Sequence, residues 1–174
     1  PYTTLFRSVI VWYVLFAVAV SVKAQQPVKV FVKDGVTVHS YDFNALKPLL
    51  NKQNDTTYVV NFWATWCKPC IEELPNFEKL HANFKSQKVK VLLVSLDLPK
   101  QVESNLIPYI KKKRLQSTVV HLKDPDMNSW INKVDQQWSG AIPATIIYKG
   151  DKRKFYEQSF TYEQLQSELE KIKN

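Results

Sequence analysis

Two residues, Cys67 and Cys70, are the only cysteines in the 174-residue chain, and they stand three positions apart. The apolar and aromatic run that begins at Val59 and leads up to them is typical of a buried strand. Beyond the pair, apolar residues recur at 71, 74, 77 and 80, which is the spacing of one face of a helix. The two sulfurs are therefore predicted to lie where a core strand ends and a helix begins.

That position favours a reactive thiolate at Cys67. Unpaired backbone N–H groups and the dipole at the start of a helix stabilise an anion, and the ammonium group of Lys68 adds positive charge nearby. Pro69 suits the first helical turn, where its missing N–H costs nothing. Because the thiolate is the nucleophilic form of cysteine, Cys67 is predicted to attack and Cys70, one turn further on, to resolve.

Two other interpretations of the cysteine pair are a structural disulfide and half of a metal site. A disulfide that closes so short a loop would add little stability. A zinc site needs about four ligands, and the histidines His39, His81 and His121 are scattered without ligand spacing. We favour redox chemistry over both, with no metal and no cofactor beyond the Cys67–Cys70 pair itself.

The segment from Phe62 to Cys70, FWATWCKPC, resembles the active-site segment of the thioredoxin superfamily. Together with Asn61 and Glu73, it is most similar to the periplasmic branch that contains TlpA and ResA. The similarity runs from about Val28 to the C-terminus. It implies an α/β, thioredoxin-like fold, in which a mixed central sheet is flanked by helices and carries an extra N-terminal β-hairpin.

The remaining elements are predicted from local patterns. Short β-rich runs at 28–32 and 36–40 flank Asp34-Gly35, which indicates a hairpin. The next strand after the cysteine helix covers 88–96, and a strand–helix–strand unit of this kind places its two strands parallel. Further elements are predicted at 42–51 (helix), 101–114 (helix), 118–122 (strand), 126–136 (helix), 144–148 (strand), 154–160 (strand) and, after the capping box Thr161-x-x-Gln164, up to about 173 (helix). The spacing of Trp130, Val134 and Trp138 predicts a stripe that faces the core, with a substrate surface as the alternative.

Three residues are expected to bind substrate: Trp66, Ile142 and Pro143. The resemblance implies that Ile142–Pro143 is a cis peptide packed against Cys67, which proline tolerates. The adjacent backbone would then be free to pair with an extended substrate. A trans proline that opens an edge strand is the alternative. Trp66 is expected to form a wall for the bound substrate, whereas Trp63 is expected in the core.

Many thioredoxins carry a buried aspartate where this chain has Asn61, and an amide cannot take up a proton near neutral pH. Glu73 lies one helical turn past Cys70 and matches an active-site glutamate of the ResA branch. The resemblance therefore assigns Glu73 to proton transfer and to tuning of the thiol pKa values. The alternative for Glu73 is a solvated helix residue, and the neighbouring Glu72 is expected to point outward.

The N-terminal region carries two further predictions. Residues 1–8 resemble the in-frame translation of a sequencing adapter, and we interpret them as an artefact, with a genuine fragment as the alternative. Residues 9–24 are interpreted as a signal peptide or membrane anchor. Their apolar run at 9–20 is shorter than the about 20 residues of an unaided span, which favours a signal cleaved after Ala24. Residues 25–174 would then form the thioredoxin-like domain.

Composition and resemblance together set the expected surroundings. The formal net charge is +8, and the basic cluster at 111–114 is interpreted as a solvated helix end rather than a nucleic-acid site, because no aromatic platform accompanies it. The signal-like run favours the periplasm or another cell-envelope space. The resemblance implies disulfide exchange with protein clients, apocytochromes c among them, and electrons from a membrane-bound thiol donor. We expect the protein to be a monomer.

The predicted function is thiol–disulfide exchange, in the reducing direction by resemblance. An oxidant or isomerase of the same fold would use the same sulfurs, because the direction depends on the reduction potential. Lys68 and Pro69 help to set that potential without fixing it. A non-catalytic binding module of the same fold is the alternative from another class, and a peroxidase ranks below both.

Overall fold

The β-rich runs of the sequence assemble into one seven-stranded mixed sheet in the computed structural model, which describes residues 26–124 and 126–173. The segments 1–8 and 9–24 lie outside the described residues. Within the described part of the chain, no helix is long and apolar enough to cross a membrane. The strands are β1 (Lys29–Lys33), β2 (Val36–Tyr41), β3 (Thr57–Trp63), β4 (Val89–Ser95), β5 (Thr118–Leu122), β6 (Ala144–Lys149) and β7 (Lys152–Tyr156).

The sheet has the strand order β1-β2-β5-β4-β3-β6-β7. Strands β2, β5, β4 and β3 are parallel, while β1, β6 and β7 run antiparallel to their neighbours. The predicted N-terminal hairpin is confirmed, with Asp34 and Gly35 at positive φ in its turn. Because β3 and β4 are parallel, as predicted, the loops that follow them emerge at the same edge of the sheet.

The helices pack on both faces of the sheet. They are α1 (Phe43–Leu46, continued by a 3-10 turn at Lys47–Leu50), α2 (Lys68–Phe84), α3 (Ile107–Lys113), α4 (Met127–Val134) and α5 (Tyr162–Lys173). All seven residues of β3 are buried. Val59 and Trp63 face a core shared with α2, α3 and α5, whereas Val60 and Phe62 face a second core shared with α1 and α4.

The predicted aromatic stripe lies in the second core. Trp130 and Trp138 are 1% and 3% exposed, and their ring centroids are 5.6 Å apart. Trp138 also lies 4.8 Å from the Phe62 ring, measured between centroids. Packing, rather than a substrate surface, therefore accounts for these tryptophans.

The helix predicted at 101–114 is regular only in its second half. It starts with a 3-10 turn at Pro99–Gln101 and a π-helical turn at Val102–Leu106, and α3 follows. Pro108 has no backbone N–H, so a regular bonding pattern cannot continue through it. The Ile107 N–H bonds to the carbonyl of Val102, and the carbonyl of Glu103 accepts from Lys33 Nζ at 3.2 Å.

The strand predicted at 154–160 is wrong at its C-terminal end. β7 ends at Tyr156, and the residues that follow are not part of the sheet. Two hydrogen bonds hold this stretch: its own Glu157 accepts from the Ser139 N–H at 2.9 Å, and its Phe160 N–H donates to Glu73 at 2.8 Å. The segment 157–160 therefore runs towards the start of α2 instead of extending the sheet.

Candidate active site

Cys67 and Cys70 form a disulfide at the start of α2. Cys67 is the N-cap residue, with extended backbone angles, and Cys70 belongs to the first turn. The Cys70 N–H points at Cys67 Sγ over 3.3 Å. The predicted location is thus confirmed, because β3 ends at Trp63 and α2 begins at Lys68, and the sulfur of Cys67 faces a helix donor that would bind an anion there.

The two cysteines differ in exposure. Cys67 is 6% exposed and Cys70 is fully buried. A substrate can therefore reach Cys67 but not Cys70. This asymmetry is what an attacking and a resolving cysteine require.

The charge of Lys68 contributes less than the sequence indicates. Its side chain is 87% exposed, and its Nζ lies 3.9 Å from a carboxylate oxygen of Glu72. Water screens so exposed a charge, and Glu72 partly balances it. The backbone N–H groups of α2 are therefore the main source of anion stabilisation at Cys67. Glu72 points outward, as predicted, with 65% of its side chain exposed.

The loop that enters β6 faces the cysteine pair. The Ile142–Pro143 peptide is cis, as the resemblance implies. The carbonyl oxygen of Ile142 lies 3.8 Å from Cys67 Sγ, and Pro143 is buried. The structure therefore brings these two residues together with Cys67, although they lie more than 70 positions further along the chain.

The two tryptophans of the active-site segment occupy different environments. Trp63 is fully buried in the first core, as predicted. Trp66, directly before Cys67, is 60% exposed. Because large aromatic side chains are mostly covered in folded proteins, so exposed a tryptophan beside a reactive sulfur is a candidate contact for substrate.

Glu73 is only 3% exposed, so it is not a solvated helix residue. Asn61 Nδ2 donates to one carboxylate oxygen at 2.9 Å, and the Phe160 N–H donates to the other at 2.8 Å. The carboxylate therefore joins three segments: β3, α2 and residues 157–160. The sequence pointed to Asn61 only as a missing proton carrier and did not reveal that its amide holds Glu73.

Burial raises the pKa of Glu73 to about 7, although the hydrogen bonds from Phe160 and Asn61 act in the opposite direction. Such a carboxyl group can both take up and release a proton near neutral pH. Glu73 also lines a surface cleft of about 490 Å³, together with Pro69, Asn76 and Phe160. The cleft provides a route by which protons can exchange with solvent.

A second buried carboxylate, Asp97, was not found from the sequence. It is 2% exposed and binds the backbone N–H of Thr65, in the turn that leads to Cys67. One signal was available: Asp97 follows directly after a strand that is parallel to β3, so its loop emerges at the same edge of the sheet. The pattern of the sequence alone did not show which loop it would bind.

The fold and the cysteine pair define a thioredoxin-fold protein with a disulfide at the start of a helix. The chain belongs to the AhpC/TSA family, whose sequence profile matches residues 23–153. Thiol-disulfide oxidoreductase ResA of Oceanobacillus iheyensis is 30% identical over 116 residues, which cover 66% of this chain and 56% of the relative. The ResA protein of Geobacillus thermodenitrificans is 29% identical over 117 residues, which cover 66% of this chain and 62% of the relative.

Solved structures give the same fold. A thiol:disulfide interchange protein of the thioredoxin family from Chlorobium tepidum superposes with a TM-score of 0.60 at 18% identity, over 86% of this chain and 97% of that chain. A secreted disulfide oxidoreductase of Mycobacterium tuberculosis superposes with a TM-score of 0.52 at 20% identity, over 68% of this chain and 84% of that chain. The predicted thioredoxin-like fold is thereby confirmed. The match to the two ResA relatives spans only 56% to 62% of their own length.

The raised pKa of Glu73 predicts a pH-dependent stability. A group whose pKa is higher in the folded state stabilises the fold below its unfolded pKa of 4.5, and this stabilisation is lost as the pH rises through about 7. Between these limits, the oxidised wild type should lose on the order of 2–3 kcal/mol of unfolding free energy relative to the Glu73→Gln variant. Urea unfolding at a series of pH values measures this difference.

The matched control is Glu72→Gln, because Glu72 is the neighbouring glutamate and is mostly exposed. This variant should follow the wild type across the pH series. If Glu73→Gln and Glu72→Gln gave the same pH dependence, Glu73 would not titrate as a buried group.

Proposed function

We propose that the protein is a thiol–disulfide oxidoreductase of the cell envelope that reduces protein disulfides through Cys67 and Cys70. The observation that carries the proposal is the arrangement of the pair. Cys67 is the more exposed cysteine of the pair, and the backbone N–H of Cys70 points at its sulfur. The fully buried Cys70 forms the disulfide with it. The names of the ResA relatives support the same reaction.

The reaction begins with the reduced pair. The Cys67 thiolate attacks one sulfur of a client disulfide, so that a Cys67–client disulfide forms and the second client sulfur leaves as a thiolate that takes up a proton. Cys70 then loses its proton and attacks Cys67 Sγ, which releases the other client sulfur. Two electrons pass to the client, and the chain ends with the Cys67–Cys70 disulfide present in the structure.

Glu73 is the proposed proton acceptor for Cys70. Cys70 is fully buried, so bulk water does not contact it, and Glu73 follows one helical turn later. With a pKa of about 7, the carboxylate can accept a proton and return it to solvent through the cleft that it lines. The hydrogen bonds from Asn61 and Phe160 keep the carboxylate in place.

Client binding is assigned to Trp66, Ile142 and Pro143. The Ile142 carbonyl lies beside Cys67 Sγ, so an extended client backbone that pairs with this residue would have its disulfide next to the nucleophile. Trp66, directly before Cys67 in the chain, offers an exposed aromatic surface for the client. This mode of recognition relies on backbone contacts and accepts clients of differing sequence.

The finer parts of the proposal follow from the resemblance to TlpA and ResA. The clients are exported proteins with disulfides, including apocytochromes c, and a membrane-bound thiol donor re-reduces the pair. The protein acts as a monomer in the periplasm or another extracytoplasmic space, without a metal or a further cofactor. The signal-like residues 9–24 support this location.

Reduction of insulin disulfides tests the exchange activity directly. With dithiothreitol as electron source, the wild type should accelerate insulin precipitation and Cys67→Ser should fall to the uncatalysed rate. Cys70→Ala is the complementary variant, because it retains the nucleophile Cys67 but lacks the thiol that resolves the mixed disulfide. It should therefore accumulate mixed disulfides with clients in an envelope extract, and Cys67→Ser should not. Equal insulin rates for wild type and Cys67→Ser would favour a binding module without turnover.

The direction of electron flow is tested by the reduction potential of the pair. A reductase requires a value near that of thioredoxin, about −270 mV, whereas a strong oxidant lies near −120 mV and an isomerase near −180 mV. We expect a potential below about −220 mV, measured by equilibration with a series of glutathione ratios. A value near that of the strong oxidant would reverse the proposed direction while leaving the exchange chemistry intact.

A further inference from the structure

A buried polar cluster lies behind the turn that carries Cys67, and the proposed mechanism makes no use of it. Its centre is Asp97, in the loop directly after β4. Asp97 and Glu73 are the two buried carboxylates within the described residues. A buried charge costs free energy unless several partners compensate it, so its contacts indicate what it does.

The side chain of Asp97 binds the active-site turn. The Thr65 N–H lies 3.2 Å from one carboxylate oxygen and 3.3 Å from the other, and the Thr65 hydroxyl donates to the same group. The Ser95 hydroxyl donates to it at 2.8 Å. Thr65 stands inside the turn 64–67, which is closed by the Cys67 N–H bonding to the Ala64 carbonyl at 3.1 Å. The carboxylate therefore binds the turn two residues before the nucleophile.

The backbone of Asp97 is fixed as well. Its carbonyl lies 2.8 Å from His121 Nε2, and His121 Nδ1 lies 2.8 Å from the Ser40 hydroxyl. A carbonyl only accepts, so Nε2 carries the hydrogen and Nδ1 accepts from Ser40. Burial lowers the pKa of His121, which keeps this ring neutral. Asp97 is therefore tied to β5 and β2, two neighbouring strands of the sheet.

We propose that Asp97, acting through Thr65, is a positioning residue that holds the turn 64–67 so that Cys67 Sγ meets the backbone N–H groups of α2. The turn is the only covalent connection between the rigid end of β3 and the first residue of the helix. Its relevance to catalysis rests on the proposed exchange function. The placement of Cys67 Sγ by the turn is a property of the reduced protein, so it can be measured without a client.

The charge of Asp97 and its positioning of the turn have opposite effects on the stability of the Cys67 thiolate, so the variants must separate the two effects. A negative charge near Cys67 disfavours the thiolate, whereas a well-placed turn favours it. Thr65→Val removes one hydrogen bond to Asp97 and changes no charge. Asp97→Asn removes the charge but keeps an acceptor for Thr65, and Asp97→Ala removes both. The difference between the alanine and asparagine variants therefore reports on positioning.

The experiment follows the rate of iodoacetamide alkylation of Cys67 in the reduced proteins as a function of pH, with the modified residue identified by mass spectrometry. Thr65→Val should react about threefold more slowly than wild type near neutral pH, as expected when helix N-terminal stabilisation is weakened. Its profile should move to higher pH. Thr65→Ser should restore the wild-type profile, and Asp97→Ala should react more slowly than Asp97→Asn.

A core variant, Val89→Ala, controls for a general loss of stability, because Val89 is buried at the start of β4, opposite Thr57 and at the far end of that strand from Ser95. It should unfold at a lower temperature but keep the wild-type alkylation profile. Profiles of Thr65→Val and Asp97→Ala that coincide with wild type would overturn the proposal, as would equal shifts in Asp97→Asn and Asp97→Ala. If Asp97→Ala does not fold, the Thr65→Val and Thr65→Ser pair decides.

The outcome is independent of the proposed function. If wild type reduces insulin and the Thr65→Val profile is unmoved, only the role of Asp97 is overturned. If wild type does not reduce insulin, the exchange function fails, and the alkylation profiles still measure how the turn is held.

Discussion

The placement of Cys67 Sγ at the first turn of α2 is the constraint on which the rest of the site depends. It follows from the rigidity of β3, which is buried along its whole length and paired with β4 on one side and β6 on the other. A strand held in this way fixes the point at which the chain leaves the sheet. The short turn that follows can then present one sulfur to the N–H groups of a helix, where an anion is stabilised.

Two buried carboxylates flank this arrangement and differ in what surrounds them. Glu73 accepts two N–H hydrogen bonds, but the effect of burial outweighs them, so its pKa rises to about 7 and it can take up and release a proton near neutral pH. Asp97 is surrounded by the N–H and hydroxyl of Thr65 and the hydroxyl of Ser95. One carboxyl group is suited to move a proton and the other to hold a turn, although both are buried acids.

Local patterns were enough to predict the hairpin, the parallel pair β3 and β4, and the strand-to-helix position of the cysteines. The resemblance added the cis peptide before Pro143 and directed attention to Glu73. Contacts between distant parts of the chain were not predictable in this way. The Phe160 N–H meets Glu73 across 87 positions, and Thr65 meets Asp97 across 32. Such contacts depend on how loops pack at the edge of the sheet, which neither periodicity nor turn composition encodes. The π-helical turn before Pro108 was missed because a local bonding defect interrupts an otherwise helical pattern.

The central claim is that Cys67 is a stabilised thiolate because of where the chain places it. The most direct test is the pKa of this thiol in the reduced wild-type protein, measured from the pH dependence of thiolate absorbance with Cys70→Ala used to assign the titration. The account predicts a midpoint at or below about 7.5, well under the value of about 8.5 for a free cysteine. A midpoint at or above that of a free cysteine would contradict it.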